Sequence, residues 1–132
     1  MKLEEEVIKF MEKKNKSTIT ASAYQIRAKE TAIFPKDKAL EYLTLGLVGE
    51  SGELANKIKK IIRDKIPSAK ADLQHIKVWN THLPDEIGDV LWYCAMLADY
   101  LDADLGTIME NNLEKLQSRK ERGVLGGSGD NR

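Results

Sequence analysis

Glu50 and Glu53, then Glu86 and Asp89, form two pairs of carboxylates with the same three-residue spacing. On a helix, that spacing puts both members of a pair on one face. The pairs lie in apolar stretches, Leu47-Val48-Gly49-Glu50-Ser51-Gly52-Glu53-Leu54-Ala55 and Asp85-Glu86-Ile87-Gly88-Asp89-Val90-Leu91-Trp92-Tyr93. An unpaired acid among apolar neighbours is costly, and four acids turned inward repel one another unless cations lie between them. Carboxylate oxygens are preferred ligands of Mg²⁺ and Mn²⁺. A bound metal polarises a phosphoryl oxygen and lowers the pKa of an attacking water. A carboxylate not committed to metal can accept that water's proton. The chemistry implied is hydrolysis of a phosphoanhydride.

Helices must position these acids. With Glu50 at zero and about 100 degrees per residue, Leu43, Leu47, Leu54 and Ile61 fall between about 20 and 60 degrees, and Glu53 about 60 degrees to the other side. The second pair repeats the geometry, with Val90, Tyr93 and Leu97 within about 40 degrees of Glu86. The acids therefore share or border the core stripe of each helix. Glycine precedes the second acid of each pair, Gly52 and Gly88. A helical glycine costs roughly 1 kcal/mol relative to alanine, which predicts close approach of another helix or a ligand at both positions.

The pattern predicts five helices and no strand, an all-α chain with an antiparallel four-helix-bundle core and a short extra N-terminal helix. The predicted helices cover residues 3–14, 17–32, 38–64, 84–101 and 104–122. Pro84 suits the first turn of the fourth, and Gly123 the end of the fifth. Residues 65–82 read as a connection, with room for a short helix around 71–79. Domain organisation reads as an extension over 1–16, a main domain over 17–122 and a glycine-rich tail over 123–132.

Composition narrows the function. The 132 residues carry 21 basic and 21 acidic side chains, so formal net charge is zero. This argues against stable capture of nucleic acid or an anionic membrane by bulk charge. One cysteine, Cys94, excludes an intrachain disulfide and a cysteine-based zinc site. No apolar run reaches the roughly 18 residues of a membrane span, and the first residues do not read as a signal peptide. A cytoplasmic location is expected.

Further polar sets accompany the acids. Asn112, Lys115 and Arg119 fall within about 40 degrees of Ile108 on the fifth helix, where cations and an amide can hold phosphate or sugar. Tyr24, Gln25 and Thr31 are candidates for base or sugar contact, although Tyr24 alone reads as core. The backbone amides of the tail can fold over phosphate, or the tail can fray. Trp79 reads as an anchor or a base-stacking ring, and His75 and His82 as surface residues. Neither histidine follows a glutamate by three residues, which argues against a di-iron bundle. For the acids themselves the plainer alternative is a solvated face, with Glu53 paired to Lys57 four residues on; the second matched pair weighs against it.

The two acid-bearing phrases resemble the signature helices of the MazG-like all-α nucleoside triphosphate pyrophosphohydrolases. Tyr24-Gln25 resembles the opening of that family's first core helix, and Asn112, Lys115 and Arg119 its downstream basic helix. The likeness spans about residues 18–122, and the tail is similar to one seen in small MazG-like proteins. The resemblance implies a nucleoside triphosphate substrate, cleavage between the α and β phosphates, Mg²⁺ or Mn²⁺, and a homodimer or homotetramer. It makes Glu50, Glu53, Glu86 and Asp89 the catalytic metal ligands, with Glu53 also orienting the water. Tyr24, Gln25, Asn112, Lys115 and Arg119 become the substrate contacts. Two other classes compete: a non-catalytic helical module that binds nucleotide or a partner, and a purely structural bundle.

Overall fold

The computed structural model describes residues 2–13, 16–64 and 73–132, with the side chains of 10, 11, 13 and 73–82 excepted. The described residues form five α-helices, α1 (Lys2–Lys13), α2 (Ala21–Lys29), α3 (Ala39–Arg63), α4 (Leu73–Tyr100) and α5 (Leu105–Glu121), and no strand. A 3₁₀ turn, Lys36–Lys38, leads into α3.

Local chemistry sets most of the boundaries. Thr20 caps α2, its hydroxyl accepting from the Ala23 amide at 3.1 Å. The helix is shorter than residues 17–32, because Thr20 stops it at one end and a turn at Glu30–Thr31 at the other. Asp104 caps α5, its carboxylate accepting from the Thr107 amide at 2.9 Å. Helices α4 and α5 end alike. Ala103 N–H reaches Ala98 O and Asp102 N–H reaches Asp99 O; Val124 N–H reaches Arg119 O and Gly123 N–H reaches Lys120 O. Each is the double hydrogen bond of a Schellman ending, with Asp102 (φ 54°) and Gly123 (φ 69°) in the left-handed conformation.

Pro84 does not start α4. It lies inside a helix that begins at Leu73. A proline removes one i→i−4 hydrogen bond and crowds the preceding turn, a local cost in so long a helix. In sequence, Leu73, Ile76, Leu83, Ile87 and Val90 keep helical spacing across it. The expected connection at 65–82 is thus helical from Leu73 onward, and 65–72 lies outside the described residues. So do the side chains of His75, Trp79 and His82.

The largest interface joins α3 to α4, and α2 packs on both α4 and α5. Leu43 and Met96 are the large, fully buried side chains; Ala28, Ala95 and Leu105 complete the core, with Tyr24, Phe34, Trp92, Tyr93 and Leu97 against it. Gln25 is buried in this layer. Its amide donates to Ala103 O at 2.8 Å and accepts from Leu105 N–H at 2.8 Å, tying α2 to the α4–α5 turn. The predicted stripe residues Leu47, Leu54, Ile61, Val90 and Leu97 are half-buried. Other apolar residues of α3 and α4 face outward: Leu45, Val48, Ile62, Ile87 and Leu91 are each about half exposed or more.

Candidate metal centre

Helices α3 and α4 run antiparallel, and one glycine sets how closely they meet. A Cβ on Gly46 would run into the Tyr93 ring at Cε1, so the tyrosine rests where any side chain would stand. Nothing lies within 4 Å of a Cβ on Gly52 or Gly88. The close approach expected at those two positions is instead at Gly46, because α4 crosses α3 there. One turn onward along α3 and one turn back along α4, Glu50 comes level with Asp89.

Three of the four acids converge. One carboxylate oxygen from each of Glu50, Glu86 and Asp89 lies within 4.8 Å of the other two. Glu50 and Glu86 are half-buried and Asp89 is exposed. Glu53 is exposed and outside this group. Burial raises the Glu50 carboxyl above the usual carboxylate range, and the charges of Asp89, Glu86 and Glu53 raise it further. An all-oxygen set of facing carboxylates, one of them resisting ionisation, suits a hard divalent cation.

One of the three acids, Glu86, is also held by a cation of the protein. Lys57 does not pair with Glu53 one turn below it. Its Nζ crosses to Glu86 Oε1 at 2.5 Å, the two side chains being 26% and 13% exposed. A charge-assisted bond between two sheltered side chains outweighs an exposed i,i+4 pair.

Beside the acids is an open cavity of about 280 Å³, lined by Thr31, Glu50, Asp89, Trp92 and Tyr93. Trp92 Nε1 donates to Thr31 Oγ1 at 2.8 Å, and that hydroxyl donates to Ala28 O at 2.7 Å, fixing the indole. The Trp92 ring stands edge-on to Tyr93 and Phe34, with centroids 5.0 and 6.5 Å away, and Phe34 stacks on Tyr42. Burial raises the Tyr93 phenol, as do Tyr42, Glu50 and Asp89. Burial likewise raises Tyr24, with Asp89 and Cys94 adding to it. Both shifts favour the protonated phenol. The sequence reading did not single out Trp92 and Tyr93 as cavity residues. Their signal was spacing, three and four residues after Asp89 and so on the same side of α4.

The remaining candidates lie elsewhere. Asn112 and Lys115 are exposed on α5, and neither they nor Arg119 line this cavity. Arg119 is 8% exposed, its Nη2 donating to Asp130 O at 3.0 Å. Arg122 Nη2 donates to Arg132 O at 3.0 Å, so the tail folds back on the end of α5. Gln25 has both ends of its amide on backbone, as described above.

The profile of the family described as the MazG nucleotide pyrophosphohydrolase domain matches residues 38–124. The chain belongs to this family. The MazG match takes in α3, α4 and α5, and with them all four acids, Lys57 and the aromatic cavity wall. A relative, the Gene 37 protein of Mycobacterium phage L5, is 50% identical over 119 residues, covering 83% of this chain and 96% of that protein. No solved structure matches. As a MazG domain the chain is of a nucleotide pyrophosphohydrolase type, and no helix among its described residues is long and apolar enough to cross a membrane.

Proposed function

We propose that this MazG domain is a Mg²⁺-dependent enzyme that converts a (deoxy)nucleoside triphosphate to the monophosphate and pyrophosphate, with Mn²⁺ able to substitute. The observation that supports it most is the convergence of Glu50, Glu86 and Asp89 from two helices inside the family match. A divalent ion held there supplies charge that polarises a phosphoryl oxygen. The protein's own groups do the rest. Glu50, Glu86 and Asp89 would hold the ion. Glu53, one turn from Glu50, is either the fourth ligand or the carboxylate free to take the water's proton, and its position outside the triad favours the second role. The wall of Trp92 and Tyr93 offers ring faces and edges to a sugar or base. Tyr24, Asn112, Lys115 and Arg119 are further substrate contacts in this reading, and Gln25 acts by holding α2 against the α4–α5 turn.

We read the catalytic domain as residues 17–122, an antiparallel four-helix bundle that works as a homodimer or homotetramer. The exposed Leu45, Val48, Ile62, Ile87 and Leu91, with open backbone at Gly49, Gly52 and Gly88, support a further helix layer on this side. The test of function is pyrophosphate release from a panel of NTPs and dNTPs, with Mg²⁺ and with EDTA, beside Glu50→Gln. Metal-dependent release that the substitution abolishes is the expected result. A folded protein that binds nucleotide and turns over none would replace this proposal with a binding module.

A further inference from the structure

The Lys57–Glu86 pair has no place in the reaction as set out above. Lys57 has an acidic neighbour on its own helix, Glu53, in the favoured orientation with the acid four residues N-terminal to the lysine. It leaves that partner exposed and reaches across to α4. Of the ion pairs Lys29–Asp99, Lys57–Glu86 and Arg63–Asp64, the first and last lie on surfaces where one or both partners are largely exposed. The second is the most sheltered and touches the acid cluster. Three facing carboxylates and one ammonium leave the cluster still acidic, but with one oxygen of Glu86 already occupied by a cation.

We infer that Lys57 is the internal counter-ion of the acid cluster: its ammonium holds a cation's place on Glu86 and gives up that oxygen when a divalent ion binds across Glu50, Glu86 and Asp89. The inference rests on the metal-site reading above. Its physical content is competition. A lysine ammonium is a compact point charge on a flexible stem, able to swing away without disturbing α3. While it remains, an incoming dication meets like charge a few ångströms away. In a largely solvated site such repulsion weakens binding by on the order of tenfold. Once released, Lys57 is a mobile cation at the edge of the metal centre, in reach of the charge of a phosphate chain. Lys57 is thus a positioning residue that sets how much metal the empty site demands.

Mn²⁺ binding to the full chain without nucleotide, read by the loss of the free-ion paramagnetic resonance signal, tests this directly. Lys57→Met and Lys57→Gln, two neutral replacements of different polarity, are each expected to bind Mn²⁺ on the order of tenfold more tightly than the wild type. Lys57→Arg, which keeps the charge, should stay within about threefold of it. Circular dichroism and a melting curve show which variants are folded and enter the comparison. Glu86→Gln should bind more weakly than all of them. Equal or weaker Mn²⁺ binding in the folded neutral variants, with the wild type binding normally, overturns the counter-ion role and leaves the metal site standing. No Mn²⁺ binding by the wild type overturns both.

Discussion

The two acid pairs have one spacing and two fates. On α4, Glu86 and Asp89 both reach the triad; on α3, Glu50 joins them and Glu53 stays outside, exposed. Equal spacing guarantees that each pair shares a face of its own helix. It does not guarantee that both members face the same neighbour. Gly46 brings α4 against α3 one turn before Glu50, and the ammonium of Lys57 takes the Glu86 oxygen one turn beyond Glu53. Between these two contacts Glu50 is half-buried and joins the triad, whereas Glu53 is exposed. In the function proposed above, the matched motif has divided roles, with three acids for the ion and one for the water.

The largest effect should come from the triad. Glu50→Gln, Glu86→Gln and Asp89→Asn are each expected to cut pyrophosphate release by a factor of about a thousand, and to weaken Mn²⁺ binding, since the ion's charge stabilisation is worth several kcal/mol. Glu53→Gln sharpens the contrast. Loss of a general base removes about a hundredfold in kcat, with Mn²⁺ affinity kept near the wild-type value. If Glu53→Gln loses metal as fully as Glu50→Gln, the two pairs are equivalent and the division of roles is wrong.

The glycines give a second contrast, measured by denaturant unfolding. Gly46→Ala puts a methyl into the Tyr93 ring, and should cost about 1–3 kcal/mol through displaced packing. Gly52→Ala and Gly88→Ala meet open space in the single chain, and should gain up to about 1 kcal/mol from helix propensity. Destabilisation there, with a fall in oligomer size by light scattering, would show that a second copy packs on those glycines.

The smallest effect is a slope. Glu50 titrates higher in the folded chain than in the unfolded one, so the native state binds its proton more readily. The stability this confers is present below the unfolded value and is lost as pH rises through the folded pKa. Metal-free protein should therefore lose stability across the window just above the ordinary glutamate range. Glu50→Gln should flatten the loss, and so should saturating Mg²⁺, which favours the charged form. An unchanged slope in Glu50→Gln would place its origin in another group.

Much of the fold was legible because its signals are local. Asp104 and Gly123 bracket α5 through side-chain capping and left-handed backbone, both properties of single residues. The apolar periods of α3 and α4 gave the half-buried face of Glu50 and Glu86, whereas Glu53 and Asp89, expected to border the same stripe, are exposed. Pro84 misled because its rule is statistical and α4 runs on at the same apolar spacing on both sides of it. Glycine misled in the same way. Gly52 and Gly88 had the suggestive positions, but the glycine with a neighbour in its place is Gly46, and which glycine is crowded depends on where two helices cross.

By itself the sequence determined an all-helical chain, the faces that carry Glu50, Glu53, Glu86 and Asp89, and a resemblance to MazG that the family match bears out. Those are consequences of short-range periodicity and of residue types at fixed spacing. Tertiary structure alone decided that Glu53 stands apart, that Lys57 pairs across the helices instead of along its own, and that Trp92 and Tyr93 wall a cavity beside the acids. The register between α3 and α4 is fixed by packing between residues far apart in the chain, and spacing within one helix carries no record of it.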